Sequence, residues 1–168
     1  MYVMNQVDIT ITYHEYNSPE ELDSGDRDLL AEARNAMKSA YAPYSTYHVG
    51  AAVMLGNGKI VTGNNQENAA YPSGLCAERV ALFYASSQYP EVPVKSIAIA
   101  AKAKYYDIGA PVTPCGSCRQ VMAETESRHH NHLRLIMSGD NGKIIVVEGV
   151  ENILPLMFHA EELKKTQT

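Results

Sequence analysis

Apolar and polar residues alternate strictly over residues 7–13, Val-Asp-Ile-Thr-Ile-Thr-Tyr, and this period of two predicts a half-buried strand. Asn17-Ser18-Pro19-Glu20 ends it. From about Ser24 the period changes. Leu29, Leu30, Ala33, Met37 and Ala40 recur at helical spacing, and Pro43 lies just beyond the stop. Residues 49–55 and 59–63 predict a strand pair turning at Gly56-Asn57-Gly58. A second helix is expected from near Cys76 through Ala81, Leu82, Tyr84 and Ala85. Residues 94–101 form a short β-branched run after Pro93 and predict a buried strand. A third helix should follow Pro114 and carry Cys115 through Val121. Residues 133–137 and 143–147 predict the last two strands, turning at Asp140-Asn141-Gly142. Residues 151–163 are expected to be helical in pieces, interrupted by Pro155. Strands and helices intermix, so the expected class is α/β. The sheet is mixed, has about five strands sandwiched by helices, and gains an extra N-terminal strand.

Composition narrows this picture. The 168 residues suit one domain, residues 1–168, with 1–24 as an N-terminal extension. Hydrophobic residues at 45% and charged residues at 20% exclude collagenous, coiled-coil and wholly disordered classes. No apolar run is long enough to span a bilayer, so no membrane partner is expected. Residues 1–5 lack a basic start and an apolar segment, so no secretory signal is visible and a cytoplasmic location is expected. The net charge of −5 argues against nucleic acid as a partner.

The cysteines carry the candidate chemistry. Cys76, Cys115 and Cys118 are an odd set without a visible signal peptide, which makes a poor disulfide framework. Cys115-Gly116-Ser117-Cys118 opens a helix, where exposed N–H groups and the dipole favour thiolate. That pair alone fits metal ligation and dithiol redox chemistry equally. Cys76 breaks the tie, since it too opens a helix. Three cysteines at the starts of two helices suit one ion with its fourth tetrahedral position open, the mark of catalytic zinc. Glu78 is too near Cys76 in sequence to be a comfortable ligand, yet well placed to face the open position and relay a proton. Arg79, three residues after Cys76, would offset the net negative charge of three thiolates on a divalent cation. The run Arg128-His129-His130-Asn131-His132 reads as a solvated loop. Histidines adjacent in sequence rarely converge on one ion, and no carboxylate spacing supports them.

Cys76-Ala77-Glu78-Arg79, followed by Pro114-Cys115-Gly116-Ser117-Cys118-Arg119-Gln120-Val121, resembles the small zinc-dependent cytidine deaminases. Tyr41-Ala42-Pro43-Tyr44-Ser45 and Val49-Gly50-Ala51-Ala52 resemble that family's opening segment. Asn65-Gln66-Glu67-Asn68-Ala69 and Tyr71-Pro72 resemble its nucleoside-binding segment. Leu154-Pro155 and Phe158 resemble its C-terminal end, so the similarity covers roughly residues 29–163.

The resemblance implies zinc held by Cys76, Cys115 and Cys118, with Glu78 as the catalytic proton shuttle. The implied reaction is hydrolytic deamination of cytidine and 2′-deoxycytidine to uridine and 2′-deoxyuridine, with release of ammonia, in pyrimidine salvage. The alternative is an aminonucleoside antibiotic deaminase of the blasticidin type. By the same resemblance Asn65 and Glu67 bind the ribose, Tyr47 and Ala77 border the substrate, and Arg79 balances the thiolate charge. Tyr47 stands where the family usually has Phe. Members of this size resemble homotetramers, and Phe158 matches an aromatic that caps a neighbour's pocket. The segment 103–112 is long and could sit near the site.

Overall fold

The computed structural model describes residues 4–140 and 142–159. Its nine principal elements are strand β1 (His14–Tyr16), helix α1 (Ser24–Met37), β2 (Tyr47–Leu55), β3 (Ile60–Asn64), α2 (Ala77–Gln88), β4 (Val94–Ala103), α3 (Gly116–His129), β5 (Arg134–Ser138) and β6 (Ile144–Glu148). Short 3-10 turns at Pro19–Glu21, Tyr71–Ser73 and Val150–Asn152 punctuate them. The strands form one six-stranded sheet in the order β1-β6-β5-β4-β2-β3. All neighbours are antiparallel except β4 and β5. A parallel pair needs a crossover, and α3 supplies it.

Both faces of the sheet are covered, which is why β4 reads as an apolar run rather than an alternation. On one face α1 buries Leu29, Leu30 and Ala33 against Ala52, Ala98, Ala100 and Ile136. On the other, Ala81, Leu82 and Ala85 of α2 and Cys118 and Met122 of α3 pack over Val53, Ile97, Ile99 and Leu135. Asp23 caps α1 by accepting from the Asp26 amide at 2.9 Å. The buried Asp26 carboxylate accepts from Arg134 Nε at 2.8 Å, tying α1 to β5. Among the described residues no helix is long and apolar enough to cross a membrane.

The register decides where chemistry can occur. Asn64, the last residue of β3, lies opposite Gly50, and Ala103, the last of β4, lies opposite Tyr47. Both chains therefore leave the sheet at the same end of β2 and lead there to the N-termini of α2 and α3. Two glycines let the helices seat closely. A Cβ on Gly50 would collide with the Ala33 carbonyl of α1. A Cβ on Gly63 would lie 2.6 Å from the Ala81 nitrogen and 2.7 Å from the Ala77 oxygen, so α2 rests its first turn directly on β3.

Two expectations are corrected. The alternation over residues 7–13 forms no ladder, and Val7, Ile9, Ile11 and Tyr13 are exposed. The N-terminal strand lies instead at His14–Tyr16, paired with Val146, Ile145 and Ile144 of β6. Continuing that register would bring Thr12 to Glu148, where β6 ends. The Thr12 amide donates to Asn152 Oδ1 instead. The C-terminal pieces of helix reduce to the 3-10 turn Val150–Asn152, and residues 153–159 are non-helical. Residues 160–163 of that expectation lie outside the described residues.

Gly63→Ala should destabilise the chain by about 1–3 kcal/mol, because backbone rather than a flexible side chain fills the space a Cβ needs. Thermal unfolding should show a Tm lowered by several degrees. An unchanged Tm would mean that α2 shifts freely on β3.

Candidate active site

Cys76 is the N-cap of α2 and Cys115 the N-cap of α3, and neither side chain spends itself on a capping hydrogen bond. Cys118 lies in the first turn of α3, fully buried. The three sulfurs converge. Cys76 Sγ is 3.9 Å from Cys115 Sγ, which is 3.5 Å from Cys118 Sγ, and all three lie within 4.8 Å of one another. Thiolates bound tetrahedrally to zinc at ~2.3 Å stand ~3.8 Å apart. The cluster already has that spacing, and its donor set suits a borderline-soft cation.

The electrostatics agree with that fit. Hydrogen bonding from the Cys118 thiol holds Cys76 down to about 5, aided by Arg79 and Cys115 and opposed by burial. Cys118 is pushed up, first as the thiol that donates to Cys76, then by burial and by the charge of Glu78. The sulfurs thus share protons that a cation would displace. Arg79 Nη2 donates to Cys76 Sγ at 3.7 Å. Its Nε is buried without an acceptor, an unmet donor that suits a cluster carrying more negative charge than shared protons leave. Both helix N-termini add positive potential at the sulfurs.

Glu78 is buried, and burial raises the pKa of its carboxyl, reinforced by the charge of Cys76. It lines a cavity of about 820 Å³ with Cys76, Cys115 and Arg79. Asn65, Glu67 and Tyr47 form part of the same wall. Both polar residues are held rigidly. Asn65 Oδ1 accepts from the Val49 amide and its Nδ2 donates to the Tyr47 carbonyl, each at 2.8 Å, bridging β3's exit to β2. Glu67 Oε2 accepts from the Tyr44 and Ser45 amides, while Oε1 accepts from the Ser45 hydroxyl. Burial acts to raise the Glu67 pKa, but these hydrogen bonds outweigh it and leave the carboxylate below its ordinary range.

Residues 23–132 match the family model of the cytidine and deoxycytidylate deaminase zinc-binding region. The chain belongs to this deaminase family. It is similar to the cytidine deaminase of Halalkalibacterium halodurans, 42% identical over 135 residues that cover 80% of this chain and 95% of that one. It is also similar to that of Sporosarcina psychrophila, at 46% identity over 135 residues, 80% of this chain and 92% of the other. Among solved structures, the cytidine deaminase from Burkholderia pseudomallei matches with a TM-score of 0.68 at 35% identity, covering 78% of this chain and 97% of that one. The Mycobacterium tuberculosis enzyme matches at 0.62 and 28% identity, covering 83% and 99%. Zinc is the metal of this deaminase family, and Cys76, Cys115 and Cys118 are the residues that could hold it.

Of the residues singled out in the sequence, Cys76, Cys115, Glu78, Arg79, Asn65, Glu67 and Tyr47 border one cavity, and Cys118 closes the thiol cluster behind it. Ala77 is fully buried, with its methyl outside the cavity lining. Phe158 also lies outside this cavity, its side chain 67% exposed. The 103–112 segment does reach the site, through Tyr106 and Val112. Tyr44 and Tyr71 pack edge to face across the cavity's outer wall, with ring centroids 6.4 Å apart. Arg119 had no assigned role in the sequence. Its guanidinium donates to the Pro114 and Ile153 carbonyls and the Thr113 hydroxyl, clamping the approach to the second cysteine motif to the segment that follows β6.

Replacing Cys76 or Cys118 by Ser should reduce bound zinc from one ion per chain to a small fraction, measured by atomic emission on purified protein. Arg79→Gln should keep the ion but weaken its affinity by about 10–100-fold, the range for outer partners of metal ligands. Full zinc occupancy in Cys118→Ser would remove Cys118 from the ligand set.

Proposed function

We propose that this chain hydrolytically deaminates cytidine and 2′-deoxycytidine to uridine and 2′-deoxyuridine, releasing ammonia. The observation that carries this reading is the convergence of three thiols and a buried carboxylate on one cavity whose wall holds Asn65 and Glu67. The relatives named cytidine deaminase favour the plain nucleoside over an aminonucleoside antibiotic.

Cys76, Cys115 and Cys118 would hold the zinc, which when bound supplies Lewis-acid activation of water. Glu78 is the mobile base and acid. Its carboxylate takes a proton from the attacking water and delivers it to N3 of the pyrimidine as C4 is hydrated. It then takes the remaining proton from the C4 hydroxyl and carries it to the exocyclic nitrogen, so that the C4 carbonyl forms as the C–N bond breaks and ammonia leaves. Burial suits it to this exchange, because it raises the proton affinity of the carboxyl and so favours uptake of the proton that is then delivered. Arg79 keeps the thiolate charge from dominating the site. Asn65 and Glu67 offer their remaining hydrogen-bonding positions to the ribose hydroxyls. Tyr47 would border the base, while Ala77, buried behind the cavity wall, would act only through the backbone of the first turn of α2.

We read the working molecule as a cytoplasmic homotetramer of single-domain subunits. The exposed Phe83, Tyr84 and Phe158 support such an assembly, with Phe158 capping a neighbour's pocket. Light scattering should then give four times the 18.5 kDa chain mass.

The direct test is ultraviolet absorbance of cytidine and 2′-deoxycytidine with zinc-loaded protein, with cytosine and CMP as controls. Turnover of the two nucleosides alone is expected. No turnover in protein with one zinc per chain would overturn the substrate. Glu78→Gln should keep zinc and fold while losing about 10²–10⁴-fold in kcat. A near-normal rate would remove Glu78 from the mechanism.

A further inference from the structure

A second group of potential ligands lies at the far end of α3, with no member in common with the thiol cluster. Glu126 on α3, His132 in the α3–β5 connection and Glu151 in the 3-10 turn after β6 each offer one ligand atom, all within 4.8 Å of one another. Three separate segments of chain therefore meet here. His132 Nδ1 and Glu151 Oε1 are already 3.6 Å apart. Ligands held at ~2.0–2.2 Å from one ion stand ~3–4 Å from each other, so only a small contraction is needed.

The positions are built rather than accidental. Glu126 Oε1 accepts from the Leu133 amide at 2.6 Å and the Val150 amide at 3.1 Å, which fixes the carboxylate between the two flanking loops. Gly149 adopts φ 81°, and the Glu151 carboxylate occupies the space a Cβ there would fill. The three residues line a cavity of about 370 Å³, and His130 and His159 line it too. Asn131, on the same wall, donates from Nδ2 to the Val94 and His132 carbonyls, yet its Oδ1 is buried with no donor.

We propose that Glu126, His132 and Glu151 form a second, structural site for a divalent first-row cation, independent of the thiol cluster. Two carboxylates and an imidazole suit ions of the Co2+, Ni2+ and Zn2+ class rather than the softer preference of three thiolates. The expectation that the histidine run is only a solvated loop rested on its lack of carboxylate spacing in sequence. The carboxylates come instead from α3 and from the turn after β6. An ion here would pin that turn to α3, whose N-cap is Cys115 and whose first turn carries Cys118.

The test titrates Co2+ into zinc-loaded protein, followed by calorimetry, visible absorbance and thermal unfolding. One additional ion per chain is expected, without thiolate-to-metal charge-transfer bands and with a raised Tm. His132→Ala and Glu151→Gln alter exposed side chains, so both should fold. Each should weaken Co2+ binding at least tenfold and abolish the Tm rise, with deaminase activity unchanged. Three outcomes would each overturn the site: no additional ion at millimolar Co2+, thiolate bands showing exchange into the cysteine cluster alone, or equal affinity in both variants.

Discussion

The close seat of α2 on Gly63 is the constraint on which the site depends. Cys76, Glu78 and Arg79 occupy the cap and first turn of that helix, and the first turn is held against β3 with no side chain between. Cys115 and Cys118 arrive separately, on a helix anchored between β4 and β5. Nothing local relates the two groups. Only the register of β2 with β3 on one side and β4 on the other brings both helix N-termini to the same end of the sheet. A small displacement of α2 would leave each motif intact in sequence yet spoil the spacing of the sulfurs.

That convergence concentrates negative charge, and the surrounding structure answers it. Hydrogen bonding with Cys118 and then the Arg79 guanidinium favour thiolate at Cys76, and the helix N-termini add positive potential there. Glu78 works in the opposite sense. It is buried beside the same sulfurs, and both burial and the Cys76 charge resist its ionisation. One patch of protein thus favours thiolate at Cys76 while resisting ionisation at Cys118 and Glu78, a division of labour set by environment rather than by residue type.

The parts legible in sequence are those whose physics is local. The helix of residues 24–37 shows its period of 3.6, the β2–β3 hairpin shows Gly-Asn-Gly, and the cysteine motifs mark their own helix starts. The misread parts depend on a distant partner. Residues 7–13 have the pattern of a strand, but in the β1–β6 register the last residue of β6 lies opposite Thr12, leaving residues 7–11 no partner there, and Asn152 takes the Thr12 amide. The role of Arg119 depends on the Ile153 carbonyl, 34 residues away. Glu126, His132 and Glu151 are spread over 26 positions and share no period, so only the fold reveals them as neighbours.

In the function proposed above, Asn65 and Glu67 would serve as scaffold and ribose ligand together. Their side chains already bond the backbone of the β2 entry and of the 44–45 turn, so both are oriented before any substrate arrives. An amide oxygen keeps a second lone pair and an amide nitrogen a second hydrogen, and a carboxylate has sites for more than two donors. What remains free at each is therefore aimed in advance, and little side-chain entropy is left to lose on binding. The same bonds make these residues costly to replace, since removing either strands backbone groups as well as the ligand's partners. A substitution here would disturb the path of β2, and with it Tyr47, which borders the same cavity and lies near Glu78.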